Sequence, residues 1–191
     1  SKSYNKNKEN NIAPKIADIL TFGLLISIKK RVKLNNINPE CNIDAISSRL
    51  ESRNINEYLN NSSLVIDATD NWKSMTLINE YCVDKSIPLV SSSVVGFDSQ
   101  ITLFNNFPDK HLCLQCIFPS KEEVDLARCD SVGVLGTAAG IAGLIVAQKT
   151  INFFLEKKLD NFMTMVNIKS PKIVNLKIKK NINCKYIKKN N

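Results

Sequence analysis

The sequence predicts an α/β protein whose sheet is mostly parallel, with flanking helices and a C-terminal antiparallel hairpin. Short apolar runs alternate with segments of helical periodicity, which is typical of βαβ units. One of these runs, residues 64–66, is uniformly apolar and leads directly into Asp67, as expected for a strand buried on both faces. Near the end of the chain, residues 162–168 and 173–179 flank Ser170 and Pro171, and the alternation in the second segment predicts a hairpin with one face in water.

The remaining elements follow in order along the chain. Residues 1–12 are polar and rich in Asn and Lys, which predicts a disordered start without a secretory signal. Gly23 is expected to interrupt one or two helices across residues 16–34, and Pro39 belongs to a stop signal. Gly96 is expected to turn the chain between two strands. The other predicted elements are a short strand at 42–46, helices at 55–59, 72–85 and 131–155, strands at 88–95 and 100–104, and an irregular loop at 110–129.

Composition and charge indicate a single soluble domain. The chain has 191 residues, of which 43% are hydrophobic. Its net charge is +8, and the segment from Lys169 to the end contains eight Lys and no acid. Asn, Ile and Lys are over-used throughout and few aromatic residues lie among the lysines, which argues against a nucleic-acid partner. Six Cys without a secretory signal indicate a reducing compartment, so we expect a cytoplasmic protein with metal-binding or catalytic thiols.

The predicted helix at 131–155 is apolar enough to be compared with a membrane span. No residue from Val132 to Ala147 is charged, but these 16 residues are fewer than the about 20 that cross a bilayer. The four glycines of the segment suit close packing of a helix on a sheet. We therefore expect a buried core helix and no membrane association.

Polar side chains follow the strand at residues 64–66 directly. Asp67, Asp70 and Asn71 come where the strand ends, and ligands of open α/β sheets bind just beyond the carboxyl ends of the strands. The alternative is a helix N-cap, because Asp and Asn accept hydrogen bonds from first-turn amides. A cap needs one such residue, so the pair of acids with Thr69 and Asn71 favours a site.

A second candidate site contains cysteines. Cys113 and Cys116 form a CxxC pair, which can be half of a zinc site or a redox pair, and Cys184 is the remote candidate for a third thiolate. Ile187 stands where a second CxxC would close. Three thiolates with His111 or water can bind zinc, and the remains of a lost site are an equally good interpretation.

Cys129 precedes the glycine-rich helix and follows Arg128. Both a cation and a helix N-terminus lower a thiol pKa, which favours a reactive thiol. The alternative is a small buried hydrophobe, since free Cys is often buried. The charged neighbours favour the reactive thiol.

Five motifs follow one another along the chain. They are Asn36-Ile37-Asn38-Pro39, Ile66-Asp67-Ala68-Thr69-Asp70-Asn71, Val95-Gly96-Phe97 before Gln100-Ile101-Thr102, the Cys113/Cys116 pair, and Cys129 before Gly133-Val134-Leu135-Gly136. Taken together, over about residues 23–184, they resemble one family, the ThiF/MoeB/HesA adenylyltransferases, which are relatives of the ubiquitin-activating enzymes. The matches to Gly96-Phe97 and to Cys129 resemble the thiamine branch more than the molybdopterin branch.

The resemblance implies a Rossmann-like sheet, a homodimer, and an enzyme that uses ATP and Mg²⁺ on a ubiquitin-like sulfur-carrier protein. It implies that Asp70 binds magnesium, that Asn71 and Asn79 lie near the nucleotide, and that Cys129 is the thiol linked to the carrier. The loop around Cys129 would cross over the carrier's tail. Cys113, Cys116 and Cys184 would be three of four zinc thiolates.

The chain also departs from the family pattern. In the family, a GxGxxG loop, an acid and an Arg precede the region that matches Gly23. The present sequence does not contain them, so we expect residues 1–191 to be one domain that lacks this N-terminal unit. The phosphate-binding Lys of the family is Ile26 here, although Lys29 and Lys30 lie one turn away. The Arg expected five residues after Asp70 is Met75.

The resemblance thus predicts ATP-dependent adenylylation of the C-terminal glycine of a sulfur carrier, in thiamine thiazole or molybdopterin synthesis. Because the chain lacks several phosphate-binding groups, two alternatives accompany this prediction. One is a non-catalytic module that binds the carrier. The other is one part of a split enzyme that another polypeptide completes.

Overall fold

The computed structural model describes residues 36–106, 112–119, 133–156 and 161–186. The predictions for residues 1–12 and 16–34 lie outside these ranges, and the extent of the domain stays a prediction. The described elements, in chain order, are α1 (Ile55–Leu59), β1 (Val65–Asp67), α2 (Trp72–Asp84), β2 (Leu89–Val95), β3 (Asp98–Phe104), α3 (Leu114–Ile117), α4 (Gly136–Glu156), β4 (Phe162–Asn167) and β5 (Lys172–Lys177).

The five described strands form one sheet in the order β1-β2-β3-β4-β5. β1 pairs with β2 in parallel, and the other three pairings are antiparallel. The α/β class and the C-terminal hairpin are therefore confirmed, but the described sheet is mixed rather than mostly parallel. Only Gly96 and Phe97 join β2 to β3, and so short a connection forces antiparallel pairing. Gly96 adopts a φ of 60°, which suits the first loop position of a two-residue hairpin turn.

A hydrophobic core lies on each face of the sheet. On one face, α1 and α2 pack with the segment around Leu112 and Leu114 over Val65, Leu89 and Phe104. On the other face, α4 packs over Ile66, Val90, Ile101 and Leu103. β1 is covered on both sides, which explains why its sequence is uniformly apolar rather than alternating.

The long helix α4 contacts the sheet with one face only. Ala138 and Ala142 are buried against it, with Ile145 and Val146 beside them, whereas Leu144 on the opposite face is 73% exposed. The prediction of a buried core helix is therefore confirmed only for the face of α4 that packs on the sheet, and it is wrong for the opposite face, which is exposed. By length and composition α4 also meets the criteria for a membrane span, although the soluble-core interpretation fits its contacts with β2 and β3.

The prediction of a strand at residues 42–46 is wrong. The alternation is present, because Cys41, Ile43 and Ala45 are half-buried and the residues between them are exposed. No described strand pairs with this segment, however, and a strand needs a hydrogen-bonded partner as well as an alternating pattern. The loop predicted at 110–129 contains one helical turn, α3, in its described part.

Candidate functional site

Asp67 ends β1 and is almost completely buried. Its Oδ1 accepts hydrogen bonds from the backbone N–H of Thr69 at 2.9 Å and from the Thr69 hydroxyl at 2.7 Å. Its Oδ2 is buried and has no hydrogen-bond partner among the described residues. Burial raises the pKa of this carboxyl, and the hydrogen bonds from Thr69 offset that effect only in part. Asp67 thus fixes the turn that leads to Asp70, and its predicted contact with a cofactor stays a prediction.

Asp70 and Asn71 follow this turn and are both exposed. Asn71 is the N-cap of α2, and its side-chain oxygen accepts a hydrogen bond from the backbone N–H of Ser74 at 2.8 Å. The cap interpretation therefore holds for Asn71, but it does not account for Asp70. Within the described residues no ion pair or hydrogen bond engages the Asp70 side chain, which lies at the sheet edge beside the start of a 13-residue helix. Such an exposed carboxylate can bind a cation.

Asn79 lies two turns further along α2 and has no exposed surface. Its Oδ1 accepts a hydrogen bond from the backbone N–H of Leu114 at 3.0 Å, and its buried Nδ2 has no partner in the part of the chain that the structure describes. The structure thus places Asn79 against the segment that carries Cys113 and Cys116. Its predicted place near a nucleotide stays a prediction.

Met75, the position at which the family resemblance leads us to expect an Arg, is also buried. Only 7% of it is exposed, and it packs in the core with Ile78 and Leu89. Position 75 therefore supplies an apolar contact here and no cation for a phosphate.

Cys113, Cys116 and Cys184 come together as a thiol cluster. All three sulfur atoms lie within 4.8 Å of one another, and the Sγ atoms of Cys113 and Cys184 are 3.6 Å apart. Zinc binds four ligands tetrahedrally with Zn–S bonds of about 2.3 Å, a geometry that separates its sulfur atoms by about 3.8 Å. The spacing of the thiol cluster therefore fits a metal ion of this kind.

The thiol cluster is mostly shielded from water. Cys113 and Cys184 are buried, and Cys116 is half-buried. The hydrogen bond with Cys116, together with burial, raises the pKa of the Cys113 thiol, and burial raises that of Cys184. Neutral thiols are thus favoured without a cation. Because zinc ligands must be thiolates, metal binding here releases protons.

Several predicted site residues lie outside the described ranges. They are the candidate thiol Cys129, the candidate zinc ligand His111, Ile187, and the segment from Gly23 to Lys30. The loop expected to cover the carrier tail lies outside them as well. The roles of these residues stay predictions.

Sequence reasoning missed Glu80, which connects α2 to the end of the described chain. Its Oε1 accepts a hydrogen bond from the Tyr186 hydroxyl at 2.8 Å and pairs with the Lys185 Nζ at 2.8 Å. Burial and the carboxylate of Glu80 raise the pKa of the Tyr186 hydroxyl, which stays a donor. No local pattern could have indicated this contact, because Tyr186 is 106 positions away in sequence.

A carboxylate presented at the carboxyl end of a parallel strand stands at the place where open α/β sheets typically bind ligands. The family model that matches residues 27–186 is that of the ThiF family. The chain belongs to the ThiF family, which confirms the resemblance seen in its motifs.

Two curated relatives illustrate the similarity. A probable molybdopterin-synthase adenylyltransferase of Gracilaria tenuistipitata var. liui is 30% identical over 165 residues, covering 84% of this chain and 45% of that protein. The sulfur carrier protein ThiS adenylyltransferase of Escherichia coli (strain K12) is 29% identical over 119 residues, covering 62% of this chain and 47% of that protein. The chain thus spans about half the length of the curated relatives it matches.

The fold is similar to that of a solved structure, E. coli MccB with ATP. The TM-score is 0.67 at 15% sequence identity, and the alignment covers 86% of this chain and 54% of the MccB chain. This similarity supports the Rossmann-like α/β fold.

Proposed function

We propose that the chain is part of an ATP-dependent adenylyltransferase that activates the C-terminal glycine of a ubiquitin-like sulfur carrier, in thiamine or molybdopterin synthesis. Family membership and the names of the relatives support this function. The structural observation that carries it is the exposed Asp70 at the carboxyl end of β1, within the region that the family model matches.

In this reaction a carboxylate oxygen of the carrier attacks the α-phosphorus of ATP. An acyl–phosphate bond forms, the bond between the α- and β-phosphates breaks, and pyrophosphate leaves. Asp70 would hold magnesium, which when bound neutralises charge on the phosphates. The hydrogen bonds between Asp67 and Thr69 on one side and the Asn71 cap on the other hold Asp70 in place.

The helix α2 supplies a second favourable feature for phosphate. Its N-terminus carries the positive end of the helix dipole, and that end lies next to Asp70 and Asn71. The N-terminus of α2 would thus attract the phosphate, and Asp70 would attract the magnesium ion, at the same edge of the sheet.

A second candidate function is a non-catalytic module that binds the carrier. The observation that favours it is the burial of Met75, because position 75 then offers no cation to the phosphates. Adenylyl transfer depends strongly on such charges. A split enzyme is the related alternative. In that case a second polypeptide would supply the cations that contact the phosphates.

Carrier-dependent exchange of labelled pyrophosphate into ATP tests the catalytic proposal. We expect exchange with a recombinant sulfur carrier, and a loss of about 100-fold or more in Asp70→Asn, since one electrostatic contact to a transition state typically contributes that much. Asp84→Asn is the matched control, because Asp84 is an exposed acid at the other end of α2. Equal exchange in wild type and Asp70→Asn would contradict the role of Asp70. Capture of the carrier without exchange would favour the binding module.

We further propose that Cys113, Cys116 and Cys184 bind a structural zinc ion, with His111 or water as the fourth ligand. The sulfur spacing and the burial of the thiol cluster support this assignment. We also propose a homodimer, which rests on the family resemblance alone. A role for Cys129 toward the carrier rests on the resemblance and on the neighbouring Arg128, and a cytoplasmic location rests on the use of six Cys.

A further inference from the structure

Two consecutive residues of α2 contact the two separate segments that supply the thiol cluster. Asn79 contacts the segment of Cys113 and Cys116, and Glu80 contacts the segment of Cys184. Cys113 and Cys184 are 71 positions apart in sequence, so some part of the fold must bring their segments together. One helix touches both.

The contact of Asn79 fixes the first segment. Its Oδ1 accepts the backbone N–H of Leu114, the residue directly after Cys113, and the Asn79 side chain is fully buried. The helical turn α3 adds a hydrogen bond from the backbone N–H of Cys116 to the carbonyl of Cys113. The Asn79 contact thus sets the position of the turn from which both thiols of the CxxC pair extend.

The contact of Glu80 fixes the second segment. A single oxygen, Oε1, accepts both the Tyr186 hydroxyl and the Lys185 ammonium, each at 2.8 Å. These two donors directly follow Cys184 in the chain. The Lys185 ammonium also lies 4.5 Å from the centre of the Tyr186 ring, so the two side chains support each other.

We infer that Asn79 and Glu80 are positioning residues of the metal site, which hold the two ligand segments at the spacing that zinc requires. This inference rests on the zinc site proposed above. Metal ligands depend on hydrogen-bonded partners for their orientation, and loss of such a partner typically weakens metal binding 10- to 100-fold. Here Asn79 acts through the backbone N–H of Leu114, and Glu80 acts through the side chains of Lys185 and Tyr186. Both residues belong to the helix α2.

Competition with a chromophoric zinc chelator tests the inference, using the purified chain loaded with Zn²⁺. We expect Glu80→Ala to bind zinc about 10-fold or more weakly than wild type. Glu80→Gln keeps an acceptor for Tyr186 and should recover part of the affinity. Asp84→Ala is the matched control, because Asp84 is an exposed acid one turn further along α2 that pairs with the neighbouring Lys85. Its affinity should equal that of wild type.

The visible absorption spectrum of the Co²⁺-substituted protein gives a second readout, because its intensity reports tetrahedral geometry. We expect Glu80→Ala and Tyr186→Phe to change this spectrum, whereas a residue that only stabilises the fold would leave it unchanged. Zinc affinity of Glu80→Ala within twofold of wild type, with an unchanged cobalt spectrum, would overturn the inference, and so would a wild-type chain that binds no zinc. Neither readout depends on ATP, so failure of the adenylyltransferase proposal would be seen separately.

Discussion

The buried carboxyl of Asp67 makes the stability of this protein dependent on pH in a defined direction. The informative change is Asp67→Asn, which keeps the size of the side chain and removes its charge. The Asn oxygen can still accept both hydrogen bonds from Thr69. Any pH-dependent difference between the two proteins then reports the cost of ionising Asp67 inside the fold.

The sign follows from the raised pKa of Asp67. Because burial raises this pKa in the folded state, the folded protein holds the proton at pH values where the unfolded chain, with a pKa of about 3.9, has lost it. The stabilising contribution is complete below the unfolded pKa and is lost as pH rises through the folded pKa. Between the two values, wild-type stability falls by up to about 1.4 kcal/mol per pH unit relative to the variant.

Urea unfolding of both proteins at several pH values from 4 to 8 measures this difference. The free energy of unfolding of Asp67→Asn minus that of wild type should rise with pH and then level off above the folded pKa of Asp67. Asp84→Asn, which changes an exposed carboxyl, is the matched control. A difference for Asp67→Asn that is independent of pH, or that falls as pH rises, would refute the buried-carboxyl account.

Three further predictions concern the cap, the core and the thiol cluster. Asn71→Ala should lower the free energy of unfolding by about 1 kcal/mol in urea titrations, while Asn71→Asp, which can still cap, should cost less; equal losses would contradict the cap. Ile101→Ala should cost about 2–5 kcal/mol by the same measurement because Ile101 is fully buried, whereas Ile173→Ala, 63% exposed, should stay within about 0.5 kcal/mol; similar costs would argue against this sheet orientation. Cys184→Ser should lower the zinc content found by metal analysis, and Cys41→Ser, outside the thiol cluster, should not; unchanged zinc in Cys184→Ser would exclude Cys184 as a ligand.

Much of the fold was predictable because its strands and helices carry strong local signals. β1 is buried on both faces and reads as a continuous apolar run, and α2 places Met75, Ile78 and Cys82 on one face at helical spacing. The hairpin of β4 and β5 was predictable from its alternation and its turn.

The pairing of the strands was less predictable. The alternation of strands and helices predicted that neighbouring strands are parallel. This prediction holds for β1 and β2, which α2 connects as a crossover helix. The connection from β3 to β4 includes the helices α3 and α4, and these two strands still pair antiparallel. Residues 42–46 show the same limit, since their alternation cannot reveal whether a partner strand is present.

The candidate site was also predictable only in part. Asp70 and Asn71 were predictable because they directly follow a recognisable strand. Local sequence could not separate the cap from the candidate ligand, since both residue types suit both roles. The contacts of Asn79 with Leu114 and of Glu80 with Tyr186 depend on long-range folding, and a single sequence contains no signal for them.

The central claim is that Asp70 binds a divalent cation at the edge of the sheet. The most direct test is to add Mn²⁺, a paramagnetic substitute for Mg²⁺, and to record the broadening of backbone amide signals by NMR. We expect broadening that is centred on residues 68–74 in wild type and in Asp84→Asn, and its loss in Asp70→Asn. Broadening that persists unchanged in Asp70→Asn, or that centres on another part of the chain, would contradict the account.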